Sequence, residues 1–394
     1  MSDTEVEYYP GGEVLPGSYR ELSSWKEKNP GGKIIGCYPL YTPVELVHAA
    51  GILPATIAGA GQGIHYDHSR GSLEGFICSI GRSTLELNLD GALDSLDGIV
   101  FPSICEIARG HSGIWARQRP ECPVFYFNFP QNLKSPHSRE FLQTEFIRFR
   151  EFLEEISSSK ISDESINESI KMYNDIRKRI EVLNGRRCKS PAQYSASNLY
   201  SIRQIGLLKT PEEFASLLKQ EVLKPLEEMK SEPAYRLMMI GAFCARPPME
   251  LLKTIENLGF AIVWDDLLLG QRWFESLIPT DGDPIENLTG HYLKNSVMSS
   301  VAHHAPDELE EFIRTEFGKN CADAILLSPA KFCHPAKADF TWIQRICKEQ
   351  KIPYITIEYE ENMSDFSMIE SQFETFLEAR EPSPLINSNS GGGN

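Results

Sequence analysis

No stretch of this 394-residue chain approaches the roughly 20 apolar residues needed to span a bilayer. The longest apolar runs, such as Leu237–Ile240 and Ala324–Leu327, are strand-sized. Met1–Tyr9 is acidic and has no apolar core of the kind a secretory signal carries. These absences predict a cytoplasmic chain with no membrane partner. Positive charge is also scarce: 39 Lys and Arg stand against 55 Asp and Glu, for a net charge of −16. Nucleic-acid phosphates would be repelled, so no nucleic-acid partner is expected.

Several motifs are missing as well. There is no Walker A loop and no G-x-S-x-G elbow. Gly59-Ala60-Gly61-Gln62-Gly63 fails the dinucleotide fingerprint because Ile64 occupies the last position, and it reads as a glycine-rich turn. His303-His304 lies beside Pro306 and reads as surface. No C-x-x-C pair occurs among the nine cysteines, which argues against a structural zinc knuckle. A signal-less chain of this length is not a disulfide framework either, so each cysteine is a small core residue or a metal or redox group.

What is present is an alternation of short β-branched runs with helix-length amphipathic segments, the pattern of a parallel sheet with crossover helices. Lys33–Gly36 and Leu53–Ala58 read as strands. Between them Thr42-Pro43-Val44-Glu45 predicts a helix start with Thr as N-cap and Glu reaching back. Leu237–Gly241, Pro247–Leu251 and Phe260–Trp264 repeat this grammar in the second half. Asp97–Pro102 matches Asp323–Pro329, each followed by a cysteine and a Trp-bearing helix (Trp115, Trp342). The closing strands Pro123–Phe127 and Pro353–Glu358 also correspond.

The fold class predicted is α/β: two Rossmann- or flavodoxin-like doubly wound parallel-sheet domains of similar topology joined by a helical segment. The boundaries expected are a first α/β domain over 1–138 with a helical N-terminal segment, a helical linker over 139–232, a second α/β domain over 233–387 and a disordered tail over 388–394. Thr210-Pro211-Glu212-Glu213 in the linker is a capping box with Pro just inside the helix.

The cysteines fall in register with the strands. Cys37, Cys105, Cys244 and Cys333 each follow a predicted strand, and open parallel sheets place their ligand sites in such loops. Thiolates on loops at a domain cleft suit a metal, and an all-sulfur set selects zinc or iron–sulfur over magnesium or calcium. Dispersed single cysteines point to a cluster wedged between domains.

From Gly36-Cys37-Tyr38-Pro39-Leu40-Tyr41-Thr42-Pro43 onward the chain resembles the benzoyl-CoA reductase/2-hydroxyacyl-CoA dehydratase family. The likeness continues at Cys78-Ser79-Ile80-Gly81-Arg82-Ser83-Thr84-Leu85-Glu86, Ser103-Ile104-Cys105-Glu106 and Phe129-Pro130-Gln131-Asn132. In the second half it includes Phe243-Cys244, Asp265-Asp266, Gly282-Asp283-Pro284 and Lys331-Phe332-Cys333-His334-Pro335. Arg82–Leu87, Ser103–Cys105 and Phe129–Asn132 are most similar to the smaller catalytic subunits of the reductase branch. Two departures stand out: Glu106 and His334, where the family commonly has Asp after the cysteine.

The resemblance implies a [4Fe–4S] cluster on Cys78, Cys105 and Cys333, with one iron left open. It also makes Cys37 a candidate for lining that open iron, and leaves Cys244 as packing. It implies a subunit of an ATP-dependent, ferredoxin-linked enzyme that dearomatises an aromatic acyl-CoA to a cyclic dienoyl-CoA. The expected partners are a homologous second catalytic subunit, ATP-hydrolysing activator subunits, ferredoxin behind them, and the aromatic acyl-CoA itself. The second subunit of a 2-hydroxyacyl-CoA dehydratase, or a non-catalytic iron–sulfur scaffold or assembly protein, are the alternatives.

Overall fold

A computed structural model describes residues 19–226, 233–241, 245–272, 276–294 and 306–379. Cys244, His303-His304 and the tail over 388–394 lie outside them.

The first half opens with α1 (Arg20–Lys28) and winds through β1 (Ile34–Cys37), α2 (Val44–Ala49), β2 (Leu53–Thr56), α3 (Ser79–Leu89), β3 (Gly98–Pro102), α4 (Glu106–Gln118) and β4 (Val124–Phe127). Four helices follow: α5 (Ser138–Ser157), α6 (Asp163–Lys189), α7 (Ala196–Ile205) and α8 (Pro211–Leu223). The second half runs β5 (Tyr235–Gly241), α9 (Met249–Asn257), β6 (Phe260–Asp265), α10 (Pro284–Lys294), α11 (Pro306–Lys319), β7 (Ala324–Ser328), α12 (His334–Gln350), β8 (Tyr354–Thr356) and α13 (Ser367–Glu378).

The strands form two all-parallel sheets with the same order, β2-β1-β3-β4 and β6-β5-β7-β8. The two doubly wound α/β units therefore share one topology. β1, β2 and β3 are buried along their whole length, as parallel strands covered on both faces must be. Side chains alternate across the first sheet. Ile34, Ile99 and Phe101 enter a core with α3 and α4, while Ile35, Cys37 and Val100 enter a second core with α2 and α5.

The α3–α4 core is continuous with the second sheet through Leu237, Met239 and Leu326, so the two units pack as one body. Each large apolar side chain in it stabilises by about 1.5–3 kcal/mol. Among the described residues no helix is long and apolar enough to cross a membrane.

Local chemistry explains the helix starts. At α8 the expected capping box is present: Glu213 N donates to Thr210 Oγ1 at 3.2 Å and Thr210 N to Glu213 Oε2 at 3.1 Å. At α2 it is not. Pro43 is the N-cap and no side chain caps the helix. Thr42 Oγ1 donates instead to Tyr38 O at 3.3 Å, and the buried Glu45 carboxylate pairs with Arg177 of α6. A buried cation on the neighbouring helix outcompetes the local cap, because an unpaired buried charge costs more than a lost cap.

Candidate functional site

Three cysteines cap three helices. Cys78 is the N-cap of α3, Cys105 of α4 and Cys333 of α12. The first two come from the first unit and the third from the second, so the group straddles the boundary between the sheets. Helix starts present unsatisfied N–H groups and the positive end of the macrodipole, which favour a negative sulfur. Cys105 Sγ accepts from Ala108 N at 3.5 Å, and the Gly81 amide lies against the Cys78 sulfur.

The thiols sense one another. Burial, with negative charge on Cys333 and Cys105 adding to it, pushes Cys78 up to about 12. Burial also raises Cys105, against the Ala108 and Ile107 amides, with Cys333 again adding to the rise. Without a cation the group resists ionisation. A bound metal reverses that balance, since it needs thiolates and supplies the compensating charge.

Spacing sets the size of what the thiols could hold. Two thiolates on one zinc ion are at most about 4.6 Å apart, twice the Zn–S distance. Among the described residues only His68, Glu86 and Asp90 bring three ligand atoms within 4.8 Å of one another, so at least one pair of the three sulfurs stands wider than that. The chemistry of an all-thiolate donor set suits an iron–sulfur cluster. The His68–Glu86–Asp90 group has a structural cause, because Glu86 already accepts from the amides of Asp67, His68 and Ser69.

The surroundings show why neighbouring motif residues are what they are. A Cβ on Gly81 would lie 2.8 Å from Ile107 Cγ2, so glycine lets the starts of α3 and α4, and hence Cys78 and Cys105, approach closely. Arg82 donates through Nε to Ile77 O at 3.0 Å, holding the residue before Cys78, and pairs with Glu360 of the second unit at 3.3 Å. The Arg82 guanidinium also lies 4.4 Å over the Tyr66 ring. Lys331, two residues before Cys333, meets the same Glu360 at 3.2 Å. Glu106 and His334 are exposed; Glu106 faces Arg109 at 3.8 Å, though its charge still raises the Cys105 thiol.

One further acid is not legible in the sequence. Glu361 follows β8, is fully buried, and reaches across the boundary to the turn at Gly59–Gly61. Its backbone N donates to Ser79 Oγ at 3.4 Å, beside Cys78. Burial raises this carboxyl to about 7, with Ser83, Arg246 and the loop amides opposing the rise.

The structure does not bring Cys37 into this group. Strand alternation turns its side chain to the opposite face of the first sheet, into the α2–α5 core, where Sγ contacts Ile35 O at 3.7 Å. There it lines an open cavity with Tyr38, Tyr41 and Arg177. A post-strand position shows which end of a sheet a residue occupies; its parity decides which face it serves. Cys78 escapes strand register for a related reason: it ends a long connection from β2 and so follows no strand directly.

The defining pattern of the family described as "2-hydroxyglutaryl-CoA dehydratase, D-component" matches residues 39–379. A benzoyl-CoA reductase subunit of Thauera aromatica is 34% identical over 357 residues, covering 90% of this chain and 92% of that protein. The (R)-phenyllactyl-CoA dehydratase beta subunit of Clostridium sporogenes is 26% identical, covering 88% of this chain and 92% of its own length. The beta subunit of (R)-2-hydroxyglutaryl-CoA dehydratase from Acidaminococcus fermentans is 27% identical, covering 90% and 94%. With every element from α2 to α13 and all three helix-capping cysteines inside the matched span, the chain belongs to the 2-hydroxyglutaryl-CoA dehydratase D-component family, whose relatives named above are enzyme subunits of benzoyl-CoA reductase and 2-hydroxyacyl-CoA dehydratases.

Proposed function

We propose that the chain is a catalytic-module subunit of an ATP-dependent aromatic acyl-CoA reductase of the benzoyl-CoA type, carrying a [4Fe–4S] cluster on Cys78, Cys105 and Cys333. The observation that carries this reading is the placement of three buried or half-buried thiols at three helix N-termini, near enough for the charge of one to raise another. The greater identity to a reductase subunit than to the dehydratase subunits favours the reductase chemistry.

Such a cluster supplies one-electron transfer at low potential. The chain's own residues hold the site. The helix starts stabilise the thiolates. Gly81 allows the close approach of α3 and α4, and the Arg82–Glu360–Lys331 bridge ties the Cys78 segment to the Cys333 segment. Three thiolates leave one metal position without a protein sulfur. The overall reaction reduces an aromatic acyl-CoA to a cyclic dienoyl-CoA. Working partners are a homologous catalytic subunit, an ATP-hydrolysing activator and, behind it, ferredoxin, in the cytoplasm.

Iron and sulfide analysis with EPR on anaerobically purified protein tests the site. About four irons per chain, lost in Cys78→Ala, are expected; a well-folded chain that stays iron-free after reconstitution overturns it. The reconstituted complex then tests the reaction. Consumption of ATP and reductant in step with product supports a reductase, whereas turnover on catalytic amounts of reductant means a dehydratase.

A further inference from the structure

The cavity beside Cys37 is separate from the thiol group. It lies at the C-terminal ends of β1 and β2, where Cys37 and Thr56 are register partners. The β1–α2 loop forms one wall, Arg177 of α6 and His291 of α10 stand on others, and Leu268 and Arg272 come from the loop after β6. Its volume is about 70 Å³, room for only two or three water molecules at about 30 Å³ each.

The charged groups on this lining are all of one sign. Arg177 and Arg272 line the cavity, and among the described residues no Asp or Glu does. Their partners stand outside the lining: Glu45 pairs with Arg177, and Asp266 with Arg272 at 2.7 Å. His291 adds no charge at pH 7, since burial and then Arg177 lower it to about 4. Hydrogen bonding is incomplete at Arg177. The residue is 8% exposed and its Nη2 donates to Glu45 Oε1. Its Nε and Nη1 are buried with no hydrogen-bond partner among the described residues, and a buried donor on a charged group is costly to leave empty. The Thr56 hydroxyl, on a residue also 8% exposed, makes no hydrogen bond among the described residues either. Glu45 Oε2 is likewise unmet, but it is not on the lining.

We infer that this cavity binds a small monovalent anion of the size of formate or nitrate, held by the unmet N–H groups of Arg177 with the Thr56 hydroxyl as a further donor. A water molecule divides its hydrogen bonds between donors and acceptors, whereas an anion accepts from every donor it meets. The unmet groups on this lining are donors, and two of them belong to a cation. A single charge is what the site supports. Each guanidinium already has a carboxylate behind it, so a doubly charged ion would lose its hydration against too little positive charge. The site uses none of Cys78, Cys105 and Cys333, and binding there requires neither a metal nor the proposed acyl-CoA chemistry.

Calorimetric titration of the full chain in chloride-free buffer at constant ionic strength tests this with sodium formate, sodium nitrate and inorganic phosphate. Saturable binding of one formate per chain is expected, with nitrate competing and phosphate at least about tenfold weaker, as its second charge is uncompensated. Glu45→Gln keeps Arg177 and removes the opposing charge, so it should tighten formate binding several-fold. Thr56→Val should weaken it several-fold. The double variant Glu45→Gln/Arg177→Gln exchanges the buried ion pair for a neutral pair of similar shape and strands no charge; it should fold, as circular dichroism checks, and lose formate binding. Absence of saturable formate binding would mean that water alone fills the cavity and overturns the site. Phosphate binding as tightly as formate overturns the monovalent assignment. Unchanged binding in the double variant, or weaker binding in a folded Glu45→Gln, overturns the role of Arg177. Cys78→Ala should bind formate as wild type does; loss of binding there would place the anion at the thiols and overturn the cavity as its site.

Discussion

Glu361 and Gly59 meet across the boundary between the two α/β units so closely that a Cβ on Gly59 would lie 2.2 Å from Glu361 Oε2. Gly59 also has φ +78°, a region where an L side chain costs about 1–2 kcal/mol. Gly59→Ala should therefore lose more than this backbone cost, about 2–4 kcal/mol, as the buried carboxylate is displaced. Gly63, with the same φ of +78° but nothing within 4 Å of its Cβ position, is the control. Gly63→Ala should lose only about 1–2 kcal/mol. Equal urea midpoints for the two variants would show that the Glu361 contact has no energetic weight.

The same carboxyl gives stability a pH dependence. Its folded value of about 7 lies above the ordinary 4.5, so the folded chain binds the extra proton between those values. Stability from this group is complete below about 4.5 and lost as pH rises through 7, about 3 kcal/mol in all. His111 and His291 act oppositely. Burial holds each near 4, so their contribution is present above about 6.5 and lost as pH falls towards 4. The difference between wild type and Glu361→Gln isolates the acid. Measured by denaturant titration of metal-free protein at pH 5 and 8, it should favour wild type more at pH 5; a pH-independent difference would contradict the buried-acid account.

Thiol reactivity should follow burial. In the metal-free chain Cys321 is exposed and should alkylate first, whereas Cys78, buried and raised to about 12, should stay unmodified at pH 8. Peptide mapping after iodoacetamide treatment reads the order. Early modification of Cys78 would mean that the helix-start amides outweigh burial.

Much of the fold was legible because its local signals agree with its global arrangement. The eight strands lie within a few residues of where the β-branched runs placed them, and matching runs in the two halves became matching strand orders. The Thr210 capping box formed because no buried group competes for Thr210 or Glu213. Thr42 and Glu45 carry the same kind of signal, yet Arg177, 132 residues away in sequence, took Glu45 instead. Strand position placed Cys105 and Cys333 at helix starts, but could not find Cys78 at the end of a long connection. It set Cys37 at the end of β1 but could not say which face it serves, because only sheet parity fixes that. Glu361 was not legible at all: a lone acid after a closing strand has no local pattern, and its role depends on a glycine turn in the other unit.

The Asp265-Asp266 pair, a family motif by resemblance, has a structural reason. Asp265 ends β6 fully buried and pairs with Arg187 of α6 and, at 3.2 Å, with Arg203 of α7. Asp266 instead accepts from Gly241 N at 2.5 Å and pairs with Arg272 at 2.7 Å. The first acid thus clamps the helical segment onto the second sheet, and the second fixes the loop that reaches the Cys37 cavity. Removing Asp265 strands two buried guanidiniums, and breaking a buried pair in this way typically costs about 3–5 kcal/mol. Burial already depresses Arg203 to about 10 despite Asp265, so without the carboxylate its charged form has little support. Asp265→Ala should therefore destabilise the fold by that amount and loosen α6 and α7 from β6, read as a lower denaturation midpoint and faster amide exchange in both helices. Asp266→Ala should leave exchange in α6 and α7 largely unchanged while speeding it in the segment from Leu267 to Arg272, since its effect passes through Arg272. If both variants loosen the same helices equally, the two acids act as one cluster and the division of labour between clamp and cavity is wrong.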